Sequence, residues 1–75
     1  MDGNNQSDVA KIRAQIKAET EAMNQALYGY AGTARHAIIS HRYENINNLH
    51  GELTKVVGKD EATIITLETY SDALG

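Results

Sequence analysis

The stretch Ile39-Ser40-His41-Arg42-Tyr43-Glu44-Asn45-Ile46-Asn47-Asn48-Leu49-His50-Gly51-Glu52-Leu53-Thr54-Lys55-Val56-Val57-Gly58 decides the fold. Ile39, Ile46 and Leu53 recur every seven residues, with Leu49 and Val56 at the interleaved position. On a helix these five share one stripe, the a and d positions of a heptad. The weak helix formers Asn47, Asn48 and Gly51 all fall on the outward side, where they lower propensity without disturbing packing. Val57-Gly58 closes the pattern with a glycine where helices commonly stop. The spacing predicts a helix over residues 33–57.

Toward the N-terminus the same period returns. Val9, Ile16, Met23 and Tyr30 recur at sevens, with Ile12, Glu19 and Ala26 at the second seam position. Ser7-Asp8 supplies a capping hydroxyl followed by a carboxylate at the positive end of the helix dipole. These signals predict a helix over residues 8–30, preceded by a disordered lead at residues 1–7. Gly29 and Gly32 bracket its end, and Thr33 stands where it can cap the next helix. Proline is absent from the whole chain, so nothing forces a break elsewhere.

A turn at residues 31–33 makes the two helices an antiparallel hairpin. Its expected buried seam is Val9, Ile12, Ile16, Met23, Ile39, Ile46, Leu49, Leu53 and Val56. Glu19 and Arg42 interrupt that seam at d positions equally far from the turn, and an ion pair between them is expected.

Beyond Gly58, Asp60-Glu61 opens a shorter helix over residues 60–73, carrying Ala62, Ile64, Ile65, Leu67, Tyr70, Ala73 and Leu74. Thr63-Ile64-Ile65-Thr66-Leu67 is rich in strand formers. Its apolar positions do not alternate, however, and a lone strand would have no partner. The expected fold is therefore all-α, a single helical domain over residues 8–75.

Composition bears on assembly. Of the 75 residues 41% are apolar, but ten are alanine, and Phe, Trp and Cys are absent. A chain this short buries only about 60% of its unfolded surface, so small domains usually add a disulfide, a metal or a second subunit. Without cysteine the first is impossible. His36, Tyr43, His50 and Val57 form a further row beside the seam of the second helix, making its stripe wider than one partner helix covers. A homo-oligomeric bundle, with a dimer favoured, is the expectation. The lack of cysteine fits a reducing compartment. No run of about 18 apolar residues exists to span a membrane. Met1–Gln6 lacks the character of a secretory leader, so a cytoplasmic location is expected.

Chemistry-bearing clusters are few. His36 and His41 are about 140° apart around a helix, His41 and His50 about 180°, and His36 and His50 about 21 Å apart along it. No two can hold one ion within a chain, although a site shared across a dimer stays open. His41 and Glu44 make an isolated pair, and the Glu-x-x-His element of carboxylate-bridged bundles is missing. Ser40 lies within reach of His36, but nothing supplies an oxyanion hole or an orienting acid. Gly29-Tyr30-Ala31-Gly32 lacks the spacing and lysine of a phosphate loop. No catalytic, cofactor or metal site, and no enzymatic activity, is expected.

The most basic run, Arg35 to Tyr43, carries two arginines and two histidines, too few for a nucleic-acid footprint. Glu52 to Glu68 resembles a repressor-type helix-turn-helix, with Leu53, Val57, Gly58, Ile64 and Leu67 at its apolar and turn positions. That resemblance implies a small DNA-binding regulator using residues 52–69, the alternative reading. Residues 58–75 carry a net charge of −3, however, which opposes entry into a groove lined by phosphates. The leading expectation is a helical protein-interaction module that self-associates and docks to a further protein. Its anchors would be drawn from Tyr28, Tyr30, His36, Tyr43, His50 and Tyr70.

Overall fold

The computed structural model describes residues 2–75, with side chains from residue 6 onward. The chain forms three helices, α1 (Asp2–Gly29), α2 (Gly32–Val57) and α3 (Lys59–Leu74). No strand occurs among the described residues, so the β-forming run at residues 63–67 is helical. Tertiary packing outweighs propensity there: Ala62, Ile65 and Thr69 are buried, a spacing of three and four that only a helix presents on one side.

Nested contacts establish the antiparallel hairpin. The Arg35 guanidinium donates to the Leu27 carbonyl at 3.2 Å, and Arg42 reaches Glu19 at 3.1 Å, so paired residues move apart in number on both sides of the turn. Beyond Gly58 the chain reverses again, bringing His50 of α2 to Thr63 of α3 at 3.2 Å. α3 thus runs alongside both long helices and parallel to α1. From that contact and a rise of about 1.5 Å per residue, its last turn lies level with Ile39, and the hairpin tip extends about 10 Å further. The molecule measures 46 × 20 × 18 Å. Its radius of gyration of 13.3 Å exceeds the roughly 11 Å of an average domain this size.

The core lies where all three helices overlap. Ile12, Ile16, Met23 and Ala26 enter from α1, Ile46 and Leu53 from α2, Ala62 and Ile65 from α3. Ile16 and Leu53 are wholly enclosed. Val9, Ile39, Leu49 and Val56, expected to be fully buried in the seam, are half-buried and pack against the core from its margins. They differ because two helical stripes enclose only their shared centre, and α3 roofs just part of it.

Thr20 and Thr69 are buried although a hydrophobic-period reading passes over threonine. Each hydroxyl donates to the carbonyl four residues back in its own helix, to Ile16 and Ile65, both at 2.8 Å. Both polar atoms therefore enter the core already satisfied.

The helix boundaries depart from expectation in three places. α1 begins at Asp2, so residues 2–7 are helical rather than a disordered lead, and Ser7 is an exposed interior residue. The helix of the packed segment continues back through Gly3, Asn4 and Asn5 despite their weak propensity, with no proline to stop it. Met1 lies outside the described residues. At the turn, α1 ends at Gly29, and Tyr30 leaves the seam for the loop. The residue preceding α2 is Ala31, with no side-chain cap, whereas Thr33 sits inside the helix. At the second corner, Gly58 alone joins α2 to α3. Its N–H donates to the Thr54 carbonyl at 2.9 Å and its own carbonyl accepts from Ala62 N–H at 3.0 Å, so one residue closes one helix and opens the next. Its φ of 91° and ψ of 165° are extended rather than left-handed helical, the geometry that a one-residue reversal requires.

Candidate interaction face

The heptad rows lead from the core to the surface. In α2 the row His36, Tyr43, His50 and Val57 crosses the edge of α3. His50 and Val57 are half-buried beneath it, Tyr43 is 54% exposed, and His36 lies fully in the open past its end. In α1 the buried members Ile16, Thr20 and Met23 are continued by Leu27, which is exposed at the tip. These residues emerge because the third helix stops, not because the pattern fails.

Between α2 and α3 runs a groove of about 390 Å³, lined by Tyr43, Ile46, Asn47, His50, Thr63, Thr66, Leu67 and Tyr70. One side is fixed by a polar clasp. The Thr63 hydroxyl has one hydrogen, which it donates to the Lys59 carbonyl at 3.0 Å. His50 Nε2 must then donate to Thr63 Oγ1, and this sets the imidazole tautomer. The Thr66 hydroxyl is buried with no hydrogen-bond partner, unlike those of Thr20, Thr54, Thr63 and Thr69. Beside the groove, Ile64 (52% exposed), Leu67 (63%) and Leu74 form an apolar ridge along α3.

The groove lining carries no carboxylate, lysine or arginine. Glu61, Glu68 and Asp72, at spacings of seven and four, share a stripe of α3. It lies on average about 150° round the helix from Thr63, Leu67 and Tyr70, but only about 40–80° from Ile64, which it flanks. Two other surface grooves include charged lining residues. One between α1 and α2 is lined by Gln15, Glu19, Asn45, Asn48 and Glu52, and another by Asp8, Lys11, Glu52 and Lys55, with apolar residues at its floor.

The Glu19 carboxylate accepts from Arg42 Nη1 at 3.2 Å and 3.1 Å and from Asn45 Nδ2 at 3.2 Å. Asn45 carries no heptad signal of its own, and its position three residues beyond Arg42 on the same side of α2 is what brings it to Glu19. Arg35 is tied to the Leu27 carbonyl, where it meets the negative end of the α1 dipole. Both arginines of the basic run are therefore engaged within the chain, and residues 22–43 contain no carboxylate at all. Nothing matches.

More fully, no protein-family model, curated protein or solved structure is similar to the chain. Among the described residues, no three His, Asp or Glu side chains converge on a point. His36, Ser40, His41 and Glu44 are all exposed. The corner resembling a helix-turn-helix has one residue between its helices, where that motif has a turn of about three or four. No described helix is long and apolar enough to cross a membrane.

Of the four tyrosines, Tyr28 is 86% exposed at the tip, with Tyr30 beside it in the loop. Tyr70 instead packs half-buried against the core and forms a wall of the groove. Tyr43 and Tyr70 are thus brought together with His50, while Tyr28, Tyr30 and His36 lie apart from them, each exposed toward the hairpin tip.

Proposed function

We propose that this protein is a small helical interaction module that works through self-association and through docking to another protein. The observation carrying this reading is the placement of its large apolar side chains. Leu27, Tyr28, Tyr30, Tyr43, Ile64, Leu67 and Leu74 all lie exposed in a chain whose core is eight residues, two of them alanine. Scattered surface apolar residues mean little, whereas contiguous ones mark contact surfaces. Four of these seven border the α2–α3 groove or its ridge. The remaining three gather at the hairpin tip, where two tyrosines offer large, rigid contact area.

Catalysis receives no support from the scattered histidines, and DNA binding none from an α3 whose outer edge is acidic. Sedimentation equilibrium over a wide concentration range tests the reading directly. A reversible, concentration-dependent increase above 8.2 kDa is expected. A single monomeric species at millimolar concentration would remove self-association from the proposal.

A further inference from the structure

We draw no further inference here: the strongest candidate, the groove between α2 and α3 bordered by Tyr43, Leu67 and Tyr70, carries nothing because no observation in the structure shows what covers it.

Discussion

Two glycines of α2 and its corner should respond to the same substitution with opposite signs. Gly58 has φ 91° and ψ 165°, a conformation nearly confined to glycine. A methyl group added there would meet nothing within 4 Å. Gly58→Ala is therefore a test of the backbone alone, free of collision. Holding alanine in that region costs about 1–3 kcal/mol. Stiffening of the unfolded chain returns about 0.4–1 kcal/mol, leaving a net loss of about 1–2 kcal/mol. Gly51 lies in the exposed middle of α2, again with nothing within 4 Å. There alanine is worth about 0.5–1 kcal/mol of added stability, because helical φ suits it and its unfolded state is less free. In a domain this small the two variants should differ in melting temperature on the order of 10 °C. Urea and thermal unfolding followed by far-UV circular dichroism, all at one protein concentration, supply the measurement. Should Gly58→Ala match the wild type or exceed it, the one-residue joint between α2 and α3 is misassigned, and with it the placement of α3.

Further substitutions probe the core and the hairpin register. Leu53→Ala removes a wholly enclosed side chain where three helices meet and should cost about 3–4 kcal/mol by urea unfolding; a loss below about 1 kcal/mol would place Leu53 outside the core. Glu19 and Arg42 should show a coupling of about 0.5–1 kcal/mol in a double-mutant cycle, reduced by salt, since the Arg42 side chain remains 39% exposed. No measurable coupling at low salt would contradict the register of α1 on α2. Thr20→Val keeps the shape and removes a hydroxyl whose acceptor, the Ile16 carbonyl, already serves the helix. It is expected to raise stability by up to about 1 kcal/mol, and a loss of that size would show that the hydroxyl is needed.

Periodicity made the helices legible because it records which side of each element is enclosed. Ile16, Met23, Ile46 and Leu53 sit where a seven-residue spacing places them. The facing of Glu19 and Arg42 was equally accessible, since a turn near residue 31 leaves both the same distance from it. Less accessible was everything that depends on where α3 lies. Leu49 and Leu53 have the same chemistry and the same stripe, yet one is half-buried and the other enclosed, because a third helix roofs only one of them. Ile64 and Leu67 counted as part of an apolar helix, and only the burial of Ala62, Ile65 and Thr69 on the other side shows that they face outward. Thr20 and Thr69 escaped for a different reason. Threonine scores as polar until its hydroxyl is seen to bond its own helix, after which it packs like valine.

The arrangement of α3 separates what folding needs from what it leaves free. Its inward side must carry Ala62, Ile65 and Thr69, since these meet α1 and α2. The fold is indifferent to the order of the outward residues, and mixing charged with apolar groups there would best keep single copies apart. Instead Leu67 and Leu74 lie toward the groove while Glu61, Glu68 and Asp72 occupy the far edge, with Ile64 between the two groups. Such segregation adds nothing to the stability of one copy and exposes a surface prone to association. It becomes intelligible once the ridge is enclosed. If pairing encloses it, stability is tied to concentration, since a ligand that binds only the folded state stabilises it by mass action. Dilution should then lower the melting temperature of the wild type and leave that of Leu67→Asp where it is. A wild type whose melting is independent of concentration would mean that the apolar edge stays in water, and the segregation would lack a physical cause.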